Sequence, residues 1–105
     1  MEHSEIQNRI RRLIEQGMAE LSPELRAWAE SHLTFPRRVQ LLDSLDTQET
    51  SSYWLITDRT GVNDSSYRVV YDERHDTFGF EVTLEDDREL FLGRVGSFAE
   101  TVRDL

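Results

Sequence analysis

The first third of the chain repeats its apolar residues at the spacing of an amphipathic helix. One stripe is formed by Ile6, Ile10, Leu13, Ile14 and Met18, and Ser4 with Gln7 has the form of a capping box at its start. A second helix is predicted to begin at Ser22-Pro23-Glu24, where an N-cap serine precedes a proline, and to end before Pro36. Together the two segments predict an antiparallel helical hairpin over residues 1–35.

Beyond Pro36 the apolar spacing changes from helical to alternating. The clearest alternation runs from Thr77 to Glu85, with one face made of Phe78, Phe80, Val82 and Leu84 and the other of Gly79, Glu81, Thr83 and Glu85. Further strands are predicted at residues 53–57, 67–71 and 89–93. Residues 38–42 fit either a strand or a helical turn, and we prefer the strand. The short connections favour an antiparallel meander over residues 36–94.

The chain closes on a second capping box, Ser97-Phe98-Ala99-Glu100, followed by a stripe of Phe98, Val102 and Leu105. A C-terminal helix is therefore predicted over residues 97–105. The whole chain predicts a single α+β domain over residues 1–105, with a four- or five-stranded antiparallel meander sheet and the helices packed on one face of it. In this arrangement Phe80 and Val82 are expected to be buried against Leu25, Trp28 or the first helix.

Charge is unevenly distributed along the 105 residues, which carry 21 acidic and 12 basic side chains and a net charge of −9. Six acids and six arginines cancel up to Leu42, so the entire excess lies in residues 43–105. An acidic surface repels phosphate backbones, and no apolar segment is long enough to cross a membrane. We therefore expect a cytoplasmic protein with no nucleic-acid partner and no membrane association.

Motifs that would indicate catalysis or cofactor binding are absent from the sequence. There is no cysteine, and G-x-S-x-G, H-E-x-x-H and G-x-G-x-x-G do not occur. His75 with Asp72 or Asp76 has the residue types of a zinc site, but aspartates are also common in turns, where they form hydrogen bonds with the backbone. We therefore expect no catalytic, cofactor-binding or metal-binding residues, and no cofactor.

Two features indicate a candidate interaction surface. One is the polar loop over residues 58–66, which contains Asp58, Asn63 and Asp64. The other is apolar material on the polar faces of the strands, which would form an exposed patch from Val70, Phe91 and Trp54 or Tyr53. These features predict a small acidic protein–protein interaction or regulatory module, whose partner is a basic protein or a second copy in a homodimer.

Two other functions stay open at this point. The acidic excess also fits an immunity-type protein that neutralises a cationic toxin. A small-ligand-binding protein or an enzyme would need a pocket between helices and sheet, lined by Trp28, Trp54, Tyr67, Tyr71 and Phe80. In a chain of this size, those aromatic side chains are more often needed to fill the core.

Overall fold

Three helices and five strands make up the protein in a computed structural model, which describes residues 2–46, 49–58, 67–84 and 86–104. The elements are α1 Glu2–Glu20, α2 Pro23–His32, β1 Leu33–Leu42, β2 Thr50–Thr57, β3 Arg68–Asp72, β4 Thr77–Thr83, β5 Glu89–Gly96 and α3 Phe98–Arg103. This confirms the α+β class, with two helices before the sheet and one after it. Within the described ranges, no helix has the length and apolar character that a membrane crossing requires.

The five strands close into a barrel in which each strand is antiparallel to the next. The closure is a parallel pairing of β1 with β5, at Leu42 opposite Leu90. The expected open meander is therefore wrong. Its physical cause is visible in β2, where residues 53–57 are all buried. Both faces of this strand carry large side chains, so the helices cover one face and the barrel interior covers the other.

The predicted N-terminal caps are confirmed in two of the three helices. In α2 the Ser22 hydroxyl accepts a hydrogen bond from the Leu25 backbone N–H at 3.3 Å, and in α3 both halves of the Ser97 capping box are present. In contrast, α1 begins at Glu2, so Ser4 lies inside the helix and is not its cap. Gly17 does not end α1. A Cβ at this position would lie 2.9 Å from the Phe98 ring, so the missing side chain lets α1 and α3 approach closely.

The core is divided into two clusters by the wall of the barrel. Between the helices and the barrel lie residues that include Ile10, Ile14, Trp54, Ile56, Val69, Tyr71, Phe78 and Phe98. The barrel interior is filled by Leu41, Tyr53, Leu55 and Val70, with Val39 and Phe91 packed against them. Phe80 and Val82 are only partly buried and belong to neither cluster, so their expected burial against the helices is wrong.

A charged group is also enclosed by the barrel. Glu81, which the alternation placed on a solvent face, is fully buried, and Arg68 donates hydrogen bonds to it and to Glu89. Because a buried carboxylate needs a cation or hydrogen-bond donors, Arg68 on the neighbouring strand is what permits Glu81 to point inward.

Candidate functional site

The wall of the closed barrel has an opening next to the pairing of β1 with β5. β1 and β5 pair only at Leu42 and Leu90, and the chain bends away from β1 at Asp43. Among the described strands, none pairs with the outer edge of β5 beyond Leu90. The opening is a groove of about 410 Å³, which we call the barrel mouth, lined by Asp43, Tyr53, Arg74, Phe91, Leu92, Gly93 and Arg94.

Two stacked rings and one carboxylate form the rigid part of the barrel mouth. The rings of Tyr53 and Phe91 stack with their centroids 4.4 Å apart and their planes 18° apart. The Tyr53 hydroxyl donates to Asp43 Oδ1 at 2.6 Å, and the Ser51 hydroxyl donates to Asp43 Oδ2 at 2.5 Å. These bonds hold the tyrosine in place between the barrel core and the bend after β1.

The same contacts shift the pKa values of both groups. Burial, followed by the hydrogen bond to Asp43, raises the pKa of Tyr53 to about 12. Burial acts to raise the pKa of Asp43, but the hydrogen bonds from Ser51 and Tyr53 and the positive charge of Arg74 lower it overall. At neutral pH the mouth therefore holds an ionised aspartate and a protonated tyrosine.

A second carboxylate, Asp72, lies beneath three groups that carry or can carry positive charge. Its side chain is 1% exposed, and its nearest cationic atoms are His75 Nδ1 at 2.8 Å, Arg74 Nε at 3.6 Å and Arg94 Nη1 at 3.7 Å. Asp72 also accepts a hydrogen bond from the Arg74 backbone N–H at 3.0 Å, so it shapes the turn between β3 and β4. The turn and the cation cluster therefore depend on the same buried side chain.

Arg74 connects the barrel mouth to a second, polar groove. Its guanidinium lies 5.6 Å from the centre of the Tyr53 ring and donates to the Tyr53 hydroxyl at 3.4 Å. It also lines a groove of about 580 Å³ together with Arg38, Gln40, Thr50, Ser51, Ser52 and Glu73. Arginine and polar side chains thus continue from the mouth along the outside of β1 and β2.

The residues predicted to form an exposed patch do not form one. Val70 is fully buried inside the barrel, and Trp54 is 2% exposed and packs on the helix side of β2. Phe91 is partly buried and reaches the barrel mouth, where it stacks on Tyr53. Asp58 is exposed and lies 3.2 Å from His32 Nδ1. Asn63 and Asp64 lie outside the described residues.

The structure also bears on the two other sites that the sequence analysis considered, the metal site at His75 and the aromatic pocket. Asp76 receives a hydrogen bond from Tyr71 and pairs with Arg9 at 2.9 Å, whereas Asp72 pairs with His75. Among the described residues, no group of three or more histidines and acids is arranged to hold a metal ion. Of the aromatic side chains expected to line a pocket, Trp54 and Tyr71 fill the core and Trp28 packs against it. The rings of Tyr67 and Phe80 contact each other in a tilted arrangement.

Comparison with known proteins gives no match to a family model, to a curated protein or to a solved structure. What the protein does is therefore inferred from the geometry of its own residues. The sequence analysis missed Asp43, Arg74 and Arg94, and it considered Asp72 only as a metal ligand beside His75. Their signal was weak, because acids and arginines are common along the chain and a turn explains Asp72 equally well.

Proposed function

We propose that this protein is a protein–protein interaction module that receives its partner at the barrel mouth. The observation that carries this proposal is the outer edge of β5, which has no described strand beside it after Leu90. An unpaired strand edge offers backbone N–H and C=O groups to an extended segment of another chain. Leu92, on this edge, is 47% exposed and can contact an apolar side chain of that segment.

The side chains of the barrel mouth are of the types that dominate binding energy in protein interfaces. Tyrosine and arginine are enriched among such residues, and aromatic rings supply contact area at low entropic cost. Tyr53 is fixed by its stacking on Phe91 and its hydrogen bond to Asp43. Tyr53 is itself 2% exposed, so its role is to hold Phe91 and Arg74 in place. Binding to side chains that are already ordered costs less conformational entropy than binding to a mobile surface.

The packing of the barrel favours a partner surface over a small enclosed ligand. Leu41, Leu55 and Val70 fill the interior behind the mouth, so the groove ends on side chains and does not continue into the barrel. A ligand site of the usual kind surrounds most of its ligand. The barrel mouth is instead a shallow groove beside the unpaired edge of β5.

Site-specific photocrosslinking tests the proposal. A photoreactive amino acid replaces Leu92, and a matched variant carries it at Phe35, which is 63% exposed and lies on β1 away from the mouth. In cells of the source organism we expect a discrete crosslinked band from position 92 that is absent from position 35. A band at twice the mass of the chain would identify a second copy as the partner. Equal labelling from both positions, or no band from position 92, would contradict the proposal.

The charge distribution favours a second candidate function, an immunity-type protein that neutralises a basic toxin. Residues 43–105 contain 15 acids and 6 arginines. Five of these arginines, Arg68, Arg74, Arg88, Arg94 and Arg103, already contact acids or a backbone carbonyl of the same chain. These five arginines already have contacts within the chain, and acids outnumber arginines by more than two to one in this part of the sequence.

The salt dependence of association distinguishes this second candidate. Acidic surfaces accelerate encounter with basic partners, and this effect is screened within about 10 Å at 0.1 M salt. We expect the association rate with the crosslinked partner to fall several-fold as salt rises, while the dissociation rate changes little. An association rate independent of salt would exclude electrostatic neutralisation and leave the interaction module standing.

A further inference from the structure

We propose that the barrel mouth binds a side-chain carboxylate of the partner, an aspartate or glutamate, between the guanidinium groups of Arg94 and Arg74. This inference rests on the proposed function, because it names the chemistry of the segment that lies along β5. It begins from the sharing of one buried carboxylate, Asp72, by both arginines. Two guanidinium groups on a single carboxylate have positive charge to share with a second one.

Arg94 is the less well satisfied of the two arginines. His75 Nδ1 lies 2.8 Å from Asp72 Oδ2 and 3.3 Å from Arg94 Nη1. A carboxylate only accepts hydrogen bonds and a guanidinium only donates them, so one nitrogen cannot serve both. The shorter contact with a buried carboxylate places the proton on Nδ1. Nδ1 then accepts nothing from Arg94, and among the described residues the Arg94 guanidinium keeps its 3.7 Å ion pair with Asp72.

Arg74 is held more firmly, and it supplies the other side of the proposed subsite. Its guanidinium contacts Asp72, lies over the Tyr53 ring and donates to the Tyr53 hydroxyl. Asp43, the acid that also lines the mouth, accepts hydrogen bonds on both of its oxygens from Tyr53 and Ser51. Together Arg74, Arg94, Asp43 and Asp72 sum to zero charge. A partner carboxylate therefore meets a neutral site in a chain of net charge −9.

The spacing along β5 suggests the neighbours of that carboxylate. Leu92 and Arg94 are both exposed and flank Gly93, at which a Cβ would meet no atom within 4 Å. β5 is irregular at Leu92, because the register of its pairing with β4 shifts between Gly93 and Phe91. Both Leu92 and Arg94 line the barrel mouth, so a partner segment with an apolar residue near its acidic one can contact both. A phosphate carries more negative charge than a carboxylate, so the net charge of −9 on the chain repels it more strongly.

Peptide binding tests the chemistry directly. The probe is the blocked peptide acetyl-Thr-Val-Thr-Glu-Thr-amide, compared with its glutamine counterpart, with a glutamine peptide ending in a free carboxylate, and with inorganic phosphate. Binding is followed through the Nε–H signals of arginine in nitrogen-15 NMR spectra. We expect the glutamate peptide to bind about tenfold more tightly than the blocked glutamine peptide, because its carboxylate makes charge-assisted hydrogen bonds that the neutral amide does not. Arg94→Gln should remove this difference, whereas Arg88→Gln, in the exposed pair with Asp86, should keep it.

The possible results separate this inference from the function on which it rests. The proposal of a side-chain carboxylate would be overturned if the blocked glutamate and glutamine peptides bound equally. It would also be overturned if phosphate or the free terminal carboxylate bound more tightly than the glutamate peptide. Arg94→Gln should also lower the crosslink yield from position 92 about tenfold, with an unchanged melting temperature as evidence of folding. An undiminished yield in Arg94→Gln would overturn the carboxylate subsite and leave the interaction module intact. If no crosslink forms from position 92 in the protein that keeps Arg94, the proposed interaction module is itself contradicted.

Discussion

Replacing Arg68 by methionine tests whether the sheet is closed, because it removes the cation that faces Glu81 inside the barrel. Glu81 is fully buried and the Arg68 side chain is 10% exposed, and β3 and β4 place the two residues directly opposite each other. Methionine keeps much of the length and volume of the arginine stem, so the change removes charge and hydrogen bonds more than packing. In an open sheet the same pair would face solvent.

The expected loss of stability follows from this burial. Removing one partner of a buried ion pair costs about 3–5 kcal/mol, because the other charge stays in a medium of low polarity. A domain of this size has a total stability of about 5–15 kcal/mol, so the variant should lose a large part of it. Glu89, the other acid bound by Arg68, is 38% exposed and can be solvated instead. The effect should therefore come from Glu81.

Urea unfolding of a double-mutant cycle measures this effect. We expect Arg68→Met to lose about 3–5 kcal/mol and Arg68→Met combined with Glu81→Leu to recover most of it, because an apolar pair fits an apolar interior. The control is Arg88→Met, whose pair with Asp86 is half exposed and should contribute less than about 1 kcal/mol. A loss below about 1 kcal/mol for Arg68→Met, with an unchanged m-value, would show that Glu81 faces water and that the barrel is not closed.

Three further predictions concern Tyr53 in the barrel mouth, the cap of α3 and the close approach of β4 to β5. Wild-type stability should fall as the pH rises from about 10 to 12, because an unfolded tyrosine ionises near 10 and folded Tyr53 near 12, and Tyr53→Phe should show a shallower fall in denaturant titrations. Ser97→Ala should cost about 1 kcal/mol in thermal unfolding, whereas Ser31→Ala on the exposed face of α2 should cost almost nothing. Gly79→Ala should cost at least about 1–3 kcal/mol, because its Cβ would lie 2.2 Å from the Gly93 carbonyl oxygen, and a neutral result would show that β4 and β5 are farther apart.

Local signals in the sequence were sufficient to predict most of the elements. Ser22-Pro23 and Ser97 to Glu100 locate helix starts because a cap uses backbone groups only a few residues away. The alternation in residues 77–85 predicts β4 for the same reason. The error at Ser4 shows the limit of such signals, because a serine three residues before a glutamine also occurs inside a helix that begins earlier.

Closure of the barrel could not be predicted from local patterns. It depends on Leu42 meeting Leu90, 48 positions later, and alternation alone does not say whether the second face of a strand meets water or another strand. Glu81 shows the difficulty, because a glutamate at alternating spacing is typical of a solvent face. Its pairing with Arg68, on the adjacent strand, supplies the cation that makes the buried position tolerable.

The candidate site was displaced for a related reason. Val70 and Trp54 were taken as leftover apolar material on an exposed face, and the closed barrel buries both. Asp43, Asp72 and Arg94 come from three separate parts of the chain and meet only because β1, the β3–β4 turn and β5 converge at the same end of the barrel. Composition led to the hypothesis of an interaction protein, but it could not predict which residues would form a surface.

The shape of the β5 edge favours a different protein as the partner over a second copy of this chain. The pairing of β4 with β5 shifts register twice, between Phe78 and Gly79 and between Phe80 and Glu81, and such irregularities bend an edge away from flat self-pairing. Two copies meeting at this edge would each bring a net charge of −9 to the contact. A segment from a less acidic protein escapes this repulsion and can still place one carboxylate at Arg94. The edge of β5 is therefore poorly suited to pairing with a second copy, although Leu92 on it stays exposed.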